Sequence, residues 1–145
     1  MEGIILDTNV LSELMRSTPD PLVVEWFAHQ NTVIFYTTAI TKAEIFLGIA
    51  ILPSGKRREA LADAADKMFQ EDFLDTCLPF DESCSIHYAS IVANRRRSGF
   101  SITTEDAQIA AIALSRDLSL ATRNIKDFLH IYALTLYNPW SNSPL

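Results

Sequence analysis

The sequence is poor in the residues that many ligand-binding and stabilising motifs require. Glycine occurs at four scattered positions among 145 residues, so neither a P-loop nor a GxGxxG dinucleotide fingerprint can be built. Two cysteines, Cys77 and Cys84, are too few for a disulfide scaffold. The longest uninterrupted apolar run covers residues 45–52. Because a bilayer requires roughly 20 apolar residues, no membrane segment is predicted.

Positive charge is also in deficit. Lys and Arg number 12 against 18 Asp and Glu, which gives a formal net charge of −6. This balance excludes a uniformly basic nucleic-acid-binding surface but not a local basic patch. The first residues contain no basic region of a secretory signal, so we expect a cytoplasmic protein with reduced cysteines. Because 48% of the residues are apolar, we expect a single packed domain over residues 1–145.

Short apolar runs alternate with longer helical patterns along the chain. The predicted strands cover residues 4–6, 33–36, 78–80, 118–122 and 134–137. The predicted helices cover residues 20–29, 41–52, 56–74, 83–97 and 104–116. Such alternation predicts an α/β fold, with a central, mostly parallel sheet of about five strands flanked by helices. Ligands bind such sheets beyond the carboxyl ends of the strands, so residues that follow each strand are candidates for a site.

Three acidic side chains stand at the starts of elements that leave this edge of the sheet. Asp7 directly follows the first apolar run, Glu44 lies in the first turn of the helix predicted to start at Thr41, and Asp106 lies near the start of another helix. Each acid alone also has a structural interpretation. Asp7 suits a helix N-cap, and the spacing of Glu44 and Asp106 from a preceding threonine is that of a capping box.

Taken together, the three acids indicate a divalent metal site. If they converge, their mutual repulsion is large unless a cation neutralises it. Oxygen ligands without His or Cys select a hard ion, Mg²⁺ or its substitute Mn²⁺. A magnesium ion that is held by a few carboxylates and keeps open water positions is typical of phosphate-ester chemistry.

Six ordered segments, which together span nearly the whole chain, carry a family resemblance. They are Ile5-Leu6-Asp7-Thr8-Asn9-Val10-Leu11-Ser12, Thr38-Ala39-Ile40-Thr41-Lys42-Ala43-Glu44-Ile45 with Gly48, Leu78-Pro79-Phe80-Asp81, Thr104-Glu105-Asp106 before Ile109-Ala110-Ala111, Ala121-Thr122-Arg123-Asn124 with Asp127-Phe128, and Tyr137-Asn138-Pro139-Trp140. In these segments the chain resembles a PIN-domain ribonuclease of the VapC/FitB type, the toxin half of a prokaryotic toxin–antitoxin pair. The resemblance implies a PIN-like fold.

The resemblance also implies roles for the acids. Asp7 and Asp106 correspond to metal ligands, direct or through water, and Glu44 closes the catalytic cluster. Asn124 stands where many relatives carry a fourth acid, and we include it in the catalytic set because its carbonyl oxygen can orient a water molecule. Asp127 is the alternative for that fourth position, unless it is an ordinary solvated or capping residue of a short helix.

Three neighbouring residues are assigned supporting roles by the same resemblance. Thr8 and Thr122 fall where the family often has a supporting hydroxyl group, and Asn9 falls where a polar residue orders the first acid. Arg123 lies beside the presumed site and is the predicted RNA contact. Other basic residues, such as those at 56–58 and 95–97, are either further RNA contacts or solvated helix faces.

The resemblance implies a Mg²⁺-dependent endoribonuclease that cleaves structured RNA and is inhibited by a small cognate antitoxin. It also implies a homodimer or a larger assembly with the antitoxin. The alternative is a catalytically weak or inactive PIN-fold module that binds RNA or protein, for which the neutral Asn124 leaves room.

The second and third long helices, predicted at 41–52 and 56–74, are rich in large apolar side chains. These side chains are Phe46, Ile49, Met68, Phe69 and Phe73. They are either ordinary core residues or part of a groove for the antitoxin, which the helix pair helps to form in relatives.

Overall fold

The computed structural model describes residues 2–141 and contains a five-stranded sheet in the order β3-β2-β1-β4-β5. All four neighbouring strand pairs are parallel, which confirms the predicted fold class. The strands are β1 (Glu2–Leu6), β2 (Val33–Thr38), β3 (Cys77–Leu78), β4 (Ser119–Ala121) and β5 (Leu136–Tyr137). The domain expected over residues 1–145 includes Met1 and residues 142–145, which lie outside the described residues.

Helices cover both faces of the sheet. Within residues 2–141 they are α1 (Thr8–Leu14), α2 (Pro21–Ala28), α3 (Ala39–Ala50), α4 (Lys56–Lys67), α5 (Ser85–Arg97), α6 (Thr104–Ser115) and α7 (Ile125–Phe128). A π-helical turn (Met68–Asp72) continues α4, and a 3-10 turn (Glu82–Cys84) precedes α5. None of the helices in this part of the chain has both the length and the apolar character that crossing a membrane requires.

The five predicted helices are present, but the start of α3 differs from the prediction. This helix begins at Ala39 because Thr38 is extended and caps it, its Oγ1 accepting from the Thr41 amide at 3.1 Å. Strand β2 therefore passes into α3 without a loop. The capping box considered for Glu44 required Thr41 to be the N-cap of this helix. Thr41 lies inside the helix instead, so that interpretation is wrong. The short helices α1 and α7 agree with the N-cap interpretation of Asp7 and with the short helix considered for Asp127, although no bounds were predicted for them.

The central strand is buried on both faces and separates two apolar cores. Ile4 and Leu6 pack on one side and Ile5 on the other, because successive side chains of a strand point to opposite faces. All three side chains are at most 1% exposed. Helices α5 and α6 cover the Ile5 side, while α1, α3 and α4 cover the other. The carboxyl end of β1 is thus fixed from both sides.

The apolar side chains of the helix pair belong to the second of these cores. Ile49, Phe69 and Phe73 are buried, and Phe46 and Met68 are half-buried against the same cluster. All five residues therefore pack in the core, and Met68 and Phe73 also line a surface groove between α1, α2 and α4.

The order of the strands places Asp7 at the point where the sheet topology reverses. The chain moves from β1 outward to β2 and β3, then returns to β4 on the other side of β1. Crevices at such switch points, beyond the carboxyl ends of the strands, are the usual ligand sites of open parallel sheets. Asp7 directly follows β1, and its amide donates to the carbonyl oxygen of Ala121 in β4 at 2.9 Å.

The N-cap residue of α6, Thr103, is predicted to stabilise the start of this helix at the carboxyl edge of the sheet. Replacing Thr103 with Ala removes the hydroxyl that accepts from the Asp106 amide at 3.1 Å. We expect the free energy of unfolding to fall by about 1 kcal/mol, because an amide of the first turn loses its partner. Thr103→Ser keeps the hydroxyl group and should lie within about 0.5 kcal/mol of the wild type. Urea unfolding followed by circular dichroism measures both, and equal losses would contradict the capping role.

Candidate active site

An acidic cavity of about 550 Å³ opens at the carboxyl ends of β1 and β4. Its lining brings together residues from α1, α3, α6 and the segments that follow β4 and β5. They are Asp7, Thr8, Asn9, Ser12, Glu13, Arg16, Glu44, Asp106, Arg123, Asn124 and Trp140. A more apolar cavity of about 680 Å³ lies elsewhere, between α5 and the segment after α7. The three predicted acids all line the smaller cavity, which is therefore the candidate site.

Asp7 is a buried carboxylate with two hydrogen bonds, one to each oxygen. Its Oδ1 accepts from the Thr8 amide at 2.8 Å, and its Oδ2 accepts from the Thr122 hydroxyl at 2.7 Å. Asp7 is therefore the N-cap of α1 and a lining residue of the cavity at once. Burial raises the pKa of Asp7, while the two hydrogen bonds oppose that shift. The capping and site interpretations of this residue are compatible.

Glu44 is held by a side chain from a different helix. The Thr8 hydroxyl donates to Glu44 Oε1 at 2.9 Å and lies 3.1 Å from the hydroxyl oxygen of Thr41. Burial raises the pKa of Glu44, and the charge of Asp106 raises it further. Thr8 thus connects the first two acids, because its amide bonds Asp7 and its hydroxyl bonds Glu44.

Asp106 lies in the first turn of α6 and has the most perturbed titration of the set. Partial burial, followed by the charge of Asp7, raises the pKa of Asp106 to about 6. Every pair among the three acids is electrostatically coupled, since Glu44 also raises the pKa of Asp7. Shifts of this kind, caused by burial together with neighbouring like charges, are concentrated at functional sites.

A hydrogen-bond network behind Asp7 joins α1 to the segment after β4. Thr122 is fully buried, and its hydroxyl oxygen, besides donating to Asp7, accepts from the Asn124 amide at 3.1 Å. Asn9 Nδ2 lies 3.5 Å from the same oxygen, and Asn9 Oδ1 accepts from the Arg123 amide at 3.2 Å. Thr122 thus contacts the first acid directly, whereas Asn9 contacts Thr122 and the backbone of Arg123.

The two candidates for the fourth position lie in different places. Asn124 lines the cavity. Asp127 is exposed on α7 and is not part of the lining, but its charge raises the pKa of both Asp7 and Asp106. Asp127 therefore adds negative potential to the site, and Asn124 adds a neutral amide to it.

Three charged or aromatic lining residues were not predicted as site residues. Glu13 is 7% exposed and accepts from Arg16 Nη1 at 3.1 Å and from the Asp20 amide at 2.9 Å. Trp140 lies under Arg123, with the guanidinium carbon 4.9 Å from the ring centroid. The helical spacing of Glu13 from Asn9 is a signal that the sequence contained, whereas nothing local identifies Trp140.

The donor set suits a hard divalent cation that keeps part of its water shell. Asp7, Glu44 and Asp106 supply only oxygen, and their coupled charges favour a cation. Within residues 2–141, no three Asp, Glu, His or Cys side chains converge to the spacing of a preformed metal cage. The support for Mg²⁺ is therefore the oxygen-only chemistry of the three acids and the repulsion between them, not a ready-made coordination geometry.

Comparison with known proteins identifies the family. The PIN domain model matches residues 4–134. The VapC ribonuclease Y4jK of Sinorhizobium fredii is 37% identical over 94% of this chain and 97% of its own. The toxin FitB of Neisseria gonorrhoeae is 36% identical over 94% of this chain and 98% of its own. The chain therefore belongs to the PIN-domain family.

A solved structure supports the same assignment. A chain in the structure of FitAB bound to the IR36 DNA fragment superimposes with a TM-score of 0.87 at 35% identity. The superposition covers 97% of each chain, so the sheet order and the helices around the cavity fall within the shared fold.

The ionisation of Asp106 should affect the stability of the metal-free protein. Its pKa is about 6 in the folded protein against an ordinary value of 3.8. The folded state therefore binds the proton more tightly, and the stability contributed by this group is lost as the pH rises through about 6. Asp106→Asn should raise the free energy of unfolding at about pH 7.5 by roughly 1 kcal/mol, a figure reduced for solvent screening. At about pH 3.5 the gain should vanish, because Asp106 is protonated in both states.

Urea unfolding in the presence of a chelator measures this difference at the two pH values. Groups away from the site titrate alike in both proteins and cancel in the comparison, whereas the pKa of Glu44 falls when the Asp106 charge is removed, which is part of the same repulsion. The same change in stability at both pH values, or a loss at neutral pH, would contradict the charge repulsion inferred for the site.

Proposed function

We propose that this protein is a metal-dependent endoribonuclease that hydrolyses RNA phosphodiester bonds as the toxin of a type II toxin–antitoxin pair in the cytoplasm. The observation that carries the proposal is the meeting of Asp7, Glu44 and Asp106 in one cavity at the switch point of the sheet. Membership of the PIN-domain family and the similarity to a VapC ribonuclease and a FitB toxin support it.

In this proposal Asp7 and Asp106 hold Mg²⁺, or Mn²⁺ in its place, and Glu44 completes the acidic cluster. The bound ion supplies positive charge for the phosphate and lowers the pKa of a water molecule. The coupled negative charges of the three acids favour the ion, because each carboxylate is costly to bury near the others without a cation.

The remaining residues of the site orient these groups and the substrate. Thr8 and Thr122 donate to the carboxylates of Glu44 and Asp7, which fixes the directions of their free lone pairs. Asn124 offers an amide group at the cavity wall to orient a water molecule. Arg123 offers a positive charge to the RNA backbone.

The substrate in this proposal is a loop of a structured RNA. Cleavage requires a backbone that can reach the cavity, and loops present unstacked, accessible nucleotides. Because the net charge is −6, the protein as a whole does not attract RNA, and the phosphates must be attracted by basic groups at the cavity. Arg16 and Arg123 both line the cavity.

Conservative removal of the acids tests the nuclease assignment. Asp7→Asn and Asp106→Asn keep the side-chain volume but remove the charge that would hold the ion. We expect RNA cleavage in Mg²⁺ to fall by at least about 100-fold, since the metal contributes several kcal/mol of transition-state stabilisation. Glu82→Gln, on an exposed acid of the 3-10 turn before α5, is the matched control and should cleave normally.

The outcome of this assay separates the proposal from its alternative. Folded Asp7→Asn and Asp106→Asn variants that cleave RNA at the wild-type rate would contradict the assignment of the acids. A wild type that binds RNA but does not cleave it with either ion would instead support the inactive binding module, for which the neutral Asn124 leaves room.

An apolar groove supports a protein partner in the same proposal. A cavity of about 430 Å³ lies between α1, α2 and α4, and its wall includes Met15, Phe27, Met68 and Phe73. We assign this groove to the antitoxin, whose apolar segment would complete the core on this side. Exposed apolar residues elsewhere, such as Leu47 of α3 and Ile51 directly after it, support self-association into a homodimer.

Co-expression with the small protein encoded next to this chain tests the partner assignment. The two should co-purify, and light scattering should give a mass that corresponds to at least two copies of this chain. Met15→Glu should weaken the complex about tenfold or more, because it places an unpaired charge in an apolar contact. Ile86→Glu, on an exposed position of α5 away from the groove, is the control. Failure of the wild-type proteins to associate would contradict the assignment.

A further inference from the structure

Arg123 and Trp140 form a stacked pair at the rim of the acidic cavity. The guanidinium carbon of Arg123 lies 4.9 Å from the centroid of the Trp140 ring, within the range of a cation–π interaction. Both residues line the cavity that holds the three acids. The pair therefore belongs to the wall of the site, although Trp140 lies far from the acids in the sequence.

Both partners are held by their backbones. The Arg123 amide donates to Asn9 Oδ1 at 3.2 Å, and the residue before it, Thr122, donates to Asp7. The Trp140 amide donates to Asn138 Oδ1 at 3.0 Å, and its ring packs against the apolar cluster around β1 and β4. The indole is thus anchored by its packing and by the hydrogen bond of its own backbone amide, and it offers a ring face to the Arg123 side chain.

The cavity is lined by several acids, yet the Arg123 guanidinium does not pair with any of them. Asp7, Glu13, Glu44 and Asp106 line the same cavity and attract a cation. Among residues 2–141, however, the ion pairs are Arg16 with Glu13 and Arg116 with Asp81. Arg123 instead lies on the indole, where the ring face attracts it without pairing it to a carboxylate.

We propose that Trp140 is a positioning residue that holds the Arg123 guanidinium at the rim of the cavity as a contact for an RNA backbone phosphate, and away from the carboxylates that bind the metal. A guanidinium among the carboxylates would compete with the divalent ion for the same oxygens, because arginine forms strong bidentate contacts with carboxylates. A guanidinium held on the indole has no carboxylate partner among residues 2–141, and Arg123 is exposed, so a phosphate can reach its donors. The phosphate contact rests on the function proposed above, whereas the effect on metal binding does not.

Four variants test this inference. Trp140→Leu keeps an apolar side chain but has no ring face, and Trp140→Phe keeps a ring. Arg123→Ala removes the cation, and the double variant Arg123→Ala/Trp140→Leu removes both partners. Circular dichroism and thermal unfolding establish which variants fold, and Trp140→Phe provides the readout if Trp140→Leu does not.

The first measurement is Mn²⁺ binding to the RNA-free protein by calorimetry. Trp140→Leu should weaken Mn²⁺ binding about tenfold, because the released guanidinium competes for the carboxylates. Trp140→Phe should weaken it by about threefold or less, since the smaller ring still stacks. Arg123→Ala should not weaken Mn²⁺ binding. The double variant should bind Mn²⁺ as Arg123→Ala does, because the indole has no effect on metal binding once the guanidinium is absent.

The second measurement is the kinetics of RNA cleavage at saturating Mn²⁺. Trp140→Leu and Arg123→Ala should each raise KM several-fold with kcat changed less than about twofold. The slope of log affinity against log salt should fall by about 0.7 in both, as for one lost phosphate contact on a single strand. A purely structural role for Trp140 would lower stability without changing this slope.

Three results would overturn the inference. The first is an unchanged Mn²⁺ affinity in a folded Trp140→Leu variant. The second is a double variant that binds Mn²⁺ as weakly as Trp140→Leu does. The third is a KM that rises for Trp140→Leu but not for Arg123→Ala. The last would indicate that the indole stacks on a base instead. If the wild type neither binds nor cleaves RNA, the proposed function fails, while the Mn²⁺ series still decides whether Trp140 controls Arg123.

Discussion

The structure depends on the burial of one carboxylate, that of Asp7, at the carboxyl end of the central strand. Burial alone raises the pKa of Asp7, and two hydrogen bonds, from Thr8 and Thr122, partly restore its acidity. Two further acids then approach the same place from other helices. Such an arrangement weakens the folded state unless a cation is present, and it persists because the rigid core around β1 holds it. A site that costs stability in this way is typical of functional positions.

The topology brings the three acids together from different parts of the chain without the need for long loops. Strand β1 delivers Asp7 directly, β2 passes without a loop into the helix that carries Glu44, and the Thr103 cap sets the start of the helix that carries Asp106. Each acid therefore lies within a turn or two of a strand end or a capped helix start. Positions of this kind are more precise than those in a loop, because the backbone is fixed by main-chain hydrogen bonds.

Much of the fold could be predicted from the sequence, because the spacing of apolar residues in strands and helices indicates which side chains are buried. The local signals at the acids were less informative. The residues around Glu44 match a capping box, and only the extended backbone of Thr38 shows that the helix starts earlier. Asp7 caps a helix and lines the site, so a choice between the two interpretations was not needed. Glu13 could have been found from its helical spacing to Asn9, whereas Trp140 could not, because its place in the site depends on tertiary contacts that leave no local pattern.

The distribution of positive charge explains how an acidic protein can offer a specific contact to a polyanion. Several arginines already have structural partners. Arg95 donates to the carbonyl oxygens of Asp127 and Leu129, Arg116 pairs with Asp81, and Arg16 pairs with Glu13. Arg123 is different, since it rests on an aromatic ring and pairs with no carboxylate among residues 2–141. With a net charge of −6, attraction at long range is weak, so recognition must come from groups at the site itself. An arginine beside a carboxylate-bound cation would add a second positive charge at the site, so the contact with a phosphate would depend on these two groups rather than on the charge of the whole surface.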